Sequence, residues 1–342
     1  MSTTETDRQD GATEVRVEVR SHPLCLEHRP GLGHPEQPGR LTAVMEALAP
    51  PSAGSWRLLP SSPLPPEGDI VGVLEWVHDE AHIERVREAA ASGKGWLDSD
   101  DCVVSGGTFA AAMAAAGLAL QAGLDLANRR VDRVFVAARP PAHHAERARA
   151  RGYCFFNTVA LAAEVIVRSW NRPVLIVDFD ALHGNGTQQH FWERGDVGYL
   201  SVHRFPWFPG TGTADEVGAG EGLGATRNFP LAEGADDEIY CTALERGLEE
   251  IAGRLRPAAL ILSAGFNGHH ADPTGGMRLT AAGYRRLTRA VMAAARAFAD
   301  GRVLSILEGG FAPVALAEGV RAHVEELAEP DRSGSKAGMA VN

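Results

Sequence analysis

Six short apolar runs rich in β-branched residues recur along this chain, at 15–20, 131–137, 174–177, 197–202, 258–262 and 303–307. Helix-like stretches lie among them, at 107–128, 157–169, 236–255, 280–299 and 314–327. Parallel strands need long crossovers, usually helical. Strands buried on both faces read as continuous apolar runs rather than as alternation. The pattern therefore predicts an α/β fold, a central parallel sheet with helices on both faces. No internal repeat or Pro/Ser-rich linker divides it, so a single domain is expected over 13–329. Residues 1–12 and 330–342 are polar and are expected to be disordered tails.

Composition narrows the function. The net charge is −11, which opposes a nucleic-acid surface because phosphate binding needs a basic face. It permits a cationic partner. No apolar run of span length is read, so no membrane partner is expected. The first residues, MSTTETDRQDGAT, lack the apolar core of a signal peptide. Cys25, Cys102, Cys154 and Cys241 are scattered, with neither a disulfide framework nor a CxxC zinc spacing. A cytoplasmic protein with reduced thiols is expected. A homo-oligomer is compatible with the sequence.

Ligands of open parallel sheets bind beyond the carboxyl ends of the strands, where this chain concentrates its reactive residues. Asp178 and Asp180 follow the third run, and Ser201 and His203 close the fourth. Residues 263–267 (SAGFN) follow the fifth and 308–311 (EGGF) the last. His143 and His144 stand together after a Pro-Pro turn; imidazole can accept or donate a proton near neutral pH. Such a base needs an orienting carboxylate, and Asp178 is the best placed. Gly152 would admit a substrate close to the backbone, Tyr153 and Phe155 would form an apolar wall, and Thr187 fits a helix cap. Asn267 lies where a third metal ligand would project. His269 and His270 read as a solvated or structural loop pair.

These stretches, together with LEHRPGLGHPEQPGRL (26–41), VHDEAHIERV (77–86), DDCVVSGGTFAAA (100–112) and FPGTG (208–212), give the chain its relatives. It resembles the histone deacetylase, acetoin utilisation and acetylpolyamine amidohydrolase superfamily over roughly 20–325. The resemblance implies an arginase-like fold with a tunnel to the strand ends. It implies general acid/base roles for His143 and His144, with Asp178 as orienter. Asp101 would stand at the tunnel rim, with Tyr153 and Phe208 as the lining aromatics. It also implies a structural potassium ion at Asp178, Asp180, Leu182, Ser201 and Val202.

The departures fall in the zinc machinery. The family motif D-x-D-x-H-H-G-N-G is here DFDALHGNG, so Leu182 replaces a ligand histidine. The ligand positions become Asp180, Leu182 and Asn267, and the tyrosine that would donate to the oxyanion becomes Phe311. A catalytic zinc normally keeps three protein ligands, so zinc is not expected and no cofactor is required. Rescue would need His183 or a loop histidine. The reading is a zinc-independent acid/base enzyme on a small or acyl-bearing substrate, in a specialised pathway. Leu182, Phe208 and Phe311 would form its apolar floor, with Asn267 and Gly310 beside them. The alternatives are a non-catalytic binder of acylated ligands and a residual zinc amide hydrolase.

Overall fold

The computed structural model describes residues 17–49, 55–93 and 95–330. The N-terminal tail, the start of the first run, and residues 331–342 lie outside the described residues. Eight strands are seen among these: β1 (Val17–Arg20), β2 (Arg57–Leu59), β3 (Arg133–Val136), β4 (Val174–Asp178), β5 (Val197–Arg204), β6 (Thr226–Leu231), β7 (Leu260–Ala264) and β8 (Val303–Leu307). The helices are α1 (Pro38–Ala47), α2 (Glu67–Leu74), α3 (Glu80–Ser92), α4 (Thr108–Ala127), α5 (Thr158–Trp170), α6 (Asn185–His190), α7 (Asp237–Leu255), α8 (Ala281–Phe298) and α9 (Pro313–Ala328).

The strands form one sheet in the order β2-β1-β3-β8-β7-β4-β5-β6, and every pairing is parallel. All residues of β3, β4, β7 and β8 are buried. Neighbouring residues of a strand point to opposite faces, so both faces of the central sheet are covered. The helices fall into two packed groups, one built around α2, α3, α4 and α5, the other running α1–α9–α8–α7. This is the single α/β domain that the apolar runs predict.

All six predicted strands form. The edge strands β2 and β6 and the helices α1, α2, α3 and α6 go beyond the prediction. The reading that no run reaches span length is corrected in one place: α4 is 20 residues long, its most apolar stretch has mean hydropathy 1.5, and by length and composition alone it could cross a membrane. Its most apolar stretch is 78% buried inside the protein, where it packs on α5. The length test alone thus mistakes a core helix for a span. Caps agree with helix chemistry: Asn157 Oδ1 accepts from Ala160 N at 2.9 Å at the start of α5, and Asp236 Oδ1 from Ile239 N at 3.2 Å at the start of α7. Thr187 is not a cap. Gly184 precedes α6, and the Thr187 hydroxyl meets the Asn157 side chain at 3.0 Å.

The strand order places the site. The chain lays down β1, adds β2 on its outer edge and β3 on its inner side, crosses to β4, builds outward to β6, then returns to fill the centre with β7 and β8. The carboxyl ends of β3, β8, β7 and β4 therefore stand side by side where the winding reverses, the usual ligand position of such sheets.

Candidate active site

A cavity of about 310 Å³ opens over these strand ends. His143 and His144 reach it from the loop after β3, Asp180 and Leu182 from β4, Asn267 from β7, and Gly309 and Phe311 from β8. Asp101, Gly152, Tyr153 and Phe208 line its walls, as the motifs predict. Pro141 of the Pro-Pro turn, Pro273 and Thr274 of the loop after His269-His270, and Trp207 also line it, without having been singled out as site residues. Gly310 does not line it: its carbonyl accepts from Arg40 Nε, and a Cβ there would meet Leu316. Phe155 is likewise not a wall; it lies in the core with its ring 5.6 Å from that of His28.

The histidines sit with ring centroids 4.0 Å apart and both are 2% exposed, so solvent screens neither. His143 Nδ1 lies 3.0 Å from Asp178 Oδ2, which also accepts from the Tyr199 hydroxyl at 3.0 Å. Burial opposes a charge on His143. Asp178, Asp180 and Glu308 more than offset it and hold the ring up to about 10. Burial pushes Asp178 upward while His143 pulls it back. Burial and the neighbouring His143 charge hold His144 well below its usual range. The pair therefore divides near neutrality into an imidazolium, His143, and a neutral ring, His144. His144 Nδ1 faces Asn185 Oδ1 at 2.8 Å, so Nδ1 carries the proton and Nε2 keeps its lone pair.

Glu308, one residue beyond β8, is a group the motif reading did not use. Its Oε2 accepts from the amides of Ala142 and His143 at 2.6 and 3.2 Å, fixing the dyad loop to the sheet. Burial raises this carboxyl to about 7. Beneath the same loop, buried Glu36 joins two buried arginines. Arg40 Nη1 donates to Glu36 Oε1 at 2.8 Å, and Arg139 donates to both Glu36 oxygens at 2.8 and 2.6 Å. Burial would raise Glu36, but Arg139 and Arg40 hold it at about 2. Arg40 also donates to the carbonyl of Glu308 and lies 4.7 Å from the Phe311 ring centre.

The positions predicted to be ligands bond to one another. Asn267 Nδ2 donates to Asp180 Oδ1 at 2.7 Å, and Asn267 Oδ1 accepts from Ala181 N at 2.9 Å. Asp180 Oδ1 takes a second bond from Leu182 N at 2.9 Å, and Oδ2 accepts from Gly309 N at 2.9 Å. Gly309 permits this approach, since a Cβ there would lie 2.5 Å from Asp180 Oδ2. His183 faces away: Nε2 meets Gln188 Oε1 at 3.0 Å and Nδ1 meets the Thr211 hydroxyl at 2.8 Å. His269 Nδ1 accepts from Ala271 N at 3.2 Å with its Nε2 3.9 Å from Glu318 Oε2, and His270 Nδ1 lies 3.3 Å from Leu279 O, so neither lines the cavity. No group of three His, Cys, Asp or Glu able to hold a metal occurs among the described residues.

Behind the site, Ser201 Oγ pairs with His203 Nδ1 at 2.8 Å. The carbonyls of Phe179 and Asp180 lie 3.2 Å from the Tyr240 hydroxyl, and that of Val202 also meets it. Asp101 Oδ2 accepts from Gly152 N at 3.0 Å, and its other oxygen accepts from Ser99, so this rim acid braces the Gly152–Tyr153 turn.

The sequence matches the histone deacetylase domain over residues 34–327. The chain belongs to the histone deacetylase family. It is 33% identical over 291 residues to a probable deacetylase of Archaeoglobus fulgidus, covering 85% of this chain and 80% of that protein. It is 36% identical over 283 residues to histone deacetylase 15 of Arabidopsis thaliana, covering 81% of this chain and 50% of the plant protein. Among solved structures, the HDA15 HD domain superposes with a TM-score of 0.84 at 32% identity, covering 92% and 90% of the two chains. An acetylpolyamine aminohydrolase from Burkholderia pseudomallei gives 0.80 at 26%, covering 91% and 98%. The family and its arginase-like α/β fold are thus those implied by the motifs.

Proposed function

We propose that this histone deacetylase family member is a zinc-independent acid/base enzyme acting on a small apolar or acyl-bearing substrate. One observation carries the reading. The Asn267 amide donates to Asp180, the one carboxylate left at the zinc position, and Leu182 completes the wall. A catalytic zinc takes three protein ligands and leaves one position open. Here the set offers one carboxylate, both of whose oxygens already accept amide protons, and the donor end of an amide. These residues do not fit zinc, and His183 has no free lone pair to lend.

The proton-transfer pair is whole. His144 Nε2 is the base and the His143 imidazolium the acid and electrostatic stabiliser, with Asp178 fixing the His143 ring. Phe208 edges the His144 ring at 5.0 Å, and Tyr153 and Phe311 meet edge to face at 5.5 Å. An aromatic wall of this kind suits a neutral acyl or ring-bearing group. Isomerisation, dehydration and cyclisation need this proton traffic, and metal-free acyl transfer needs it together with an acceptor substrate whose own nucleophile attacks the acyl carbon while the His143 imidazolium protonates the leaving group. Unpaired, buried cysteines suit a cytoplasmic setting.

A structural potassium ion is part of the same proposal. Potassium takes oxygen ligands, and the carbonyls meeting at Tyr240 outnumber its single proton. Asp178, Asp180, Leu182, Ser201 and Val202 would hold it, and it would offset the carboxylates packed around one imidazolium.

The test is metal analysis of the purified protein with an acyl-substrate turnover screen. The reading expects substoichiometric zinc, chelator-resistant turnover, and its loss in the His143→Ala/His144→Ala double variant. Stoichiometric zinc with chelator-sensitive amide hydrolysis would return the chain to ordinary deacetylation. Ligand-induced thermal stabilisation without product would favour the binding protein instead, a reading supported by Phe311, which has no hydroxyl to offer an oxyanion.

A further inference from the structure

His144 is useful as a base only if its lone pair faces the cavity. That depends on which ring nitrogen carries the proton, which depends in turn on the Asn185 side chain. An amide presents an acceptor on one edge and donors on the other, and its two orientations are nearly isosteric. With Oδ1 toward His144 Nδ1, the ring must donate from Nδ1 and keeps Nε2 free. Rotated by half a turn, the amide would donate to Nδ1, force the proton onto Nε2, and turn a base into an acid.

The Asn185 Nδ2 group donates to Glu146 Oε1 at 2.8 Å and, over a longer reach, to the His144 carbonyl at 3.4 Å, so the carboxylate is its shorter anchor. A carboxylate only accepts, so it fixes the amide edge that faces it. Glu146 is itself held firmly. Its backbone carbonyl accepts from His78 Nδ1 at 3.0 Å, and His78 Nε2 is engaged by Asn157 N at 2.8 Å. Its amide donates to Arg149 O at 2.9 Å, closing a tight turn. Arg151 Nη1 stands 3.8 Å from Glu146 Oε1, and its guanidinium lies over the Phe208 ring that edges His144. Glu146 does not line the active-site cavity; it lines a separate surface cleft with Arg147, Gln189 and His190.

We propose that Glu146 is a positioning residue that sets the protonation pattern of His144 through Asn185. Resting on the base role of His144, this deepens it by naming the remote group that makes the ring a base rather than an acid. The path carries no proton; it orients one dipole.

Nitrogen-15 NMR of histidine-labelled protein, with the His144 signals assigned by a His144→Gln variant, reads the tautomer directly. The native ring is expected to be protonated at Nδ1. Glu146→Ala should make the Nε2-protonated form the major one, and Glu146→Gln, whose carbonyl can still accept from Asn185, should restore the native pattern. Asn185→Asp supplies a group that only accepts, so an Asn185→Asp/Glu146→Ala double variant should keep Nδ1 protonated without Glu146. An unchanged tautomer in a folded Glu146→Ala protein, or loss of the native form in the double variant, would overturn the proposal. The spectrum needs no turnover, so its failure is separate from that of the catalytic reading, which His144→Ala kinetics tests alone.

Discussion

Acid should unfold this protein well above the carboxylate range, and histidines far from the cavity floor set the size of the effect. Burial holds His28 at about 4, and His78 and His323 at about 3. All three are at most 1% exposed and spend their ring nitrogens on fixed partners. His323 sits between the hydroxyls of Thr288 and Ser305, the latter at 2.8 Å, and His28 meets the Thr108 hydroxyl at 2.8 Å. In the unfolded chain each titrates near the usual 6.5. Below that value the unfolded state takes up protons that the folded state refuses, so stability falls as pH falls. Between pH 7 and pH 5 each ring costs about 2 kcal/mol, nearly the same for any folded value below about 4. The three together cost about 6 kcal/mol, a large part of the 5–15 kcal/mol that holds a typical domain together. His143 and Glu308 work the other way: their raised values give stability that is lost as pH rises, and between pH 7 and 5 they return about 1 and about 2 kcal/mol respectively. His183 and His203, each held at about 3, add to the loss. Urea unfolding followed by circular dichroism at half-unit pH steps measures this. A free energy at pH 5 within about 1 kcal/mol of that at pH 7 would refute neutral burial of these rings.

Further perturbations test the site and its supports. Leu182→His with Asn267→Asp should rebuild the Asp-His-Asp set, giving stoichiometric zinc by elemental analysis and about 2.7 kcal/mol of stabilisation at a hundredfold excess over Kd. Arg139→Met removes one of two cations from buried Glu36 and should cost about 3–5 kcal/mol in denaturant unfolding. Gly152→Ala places a methyl 2.3 Å from His144 Cδ2 at a positive φ of 58°, so about 1–3 kcal/mol of stability and most of the turnover should be lost together.

The central strands were legible because burial on both faces writes itself into every residue, as in VLIVD of β4 and VLSIL of β8. The edge strands were not. β2 has three residues, and β6 (TRNFPL) carries Pro230, tolerated at an edge because one side of the strand needs no donor. α1 and α3 carry Arg and Glu among short apolar stretches, and their cores form only against distant helices. In the site, motif residues were readable because chemistry restricts their types. The Glu36–Arg40 pair has the i,i+4 spacing of a helical ion pair, but Arg139 joins it from 103 residues away. No local pattern could announce that, nor the path from His144 through Asn185 to Glu146.

The strand order also governs how the molecule can be made. Until β7 and β8 have been synthesised, the chain holds two separate three-stranded ribbons, β2-β1-β3 and β4-β5-β6. Each ends on an apolar strand with its hydrogen-bonding edge open, the condition that invites mispairing with other chains. The last strand works as a keystone: a nascent polypeptide stopped before Val303 has every one of its histidines but one, and no roof to stand them under.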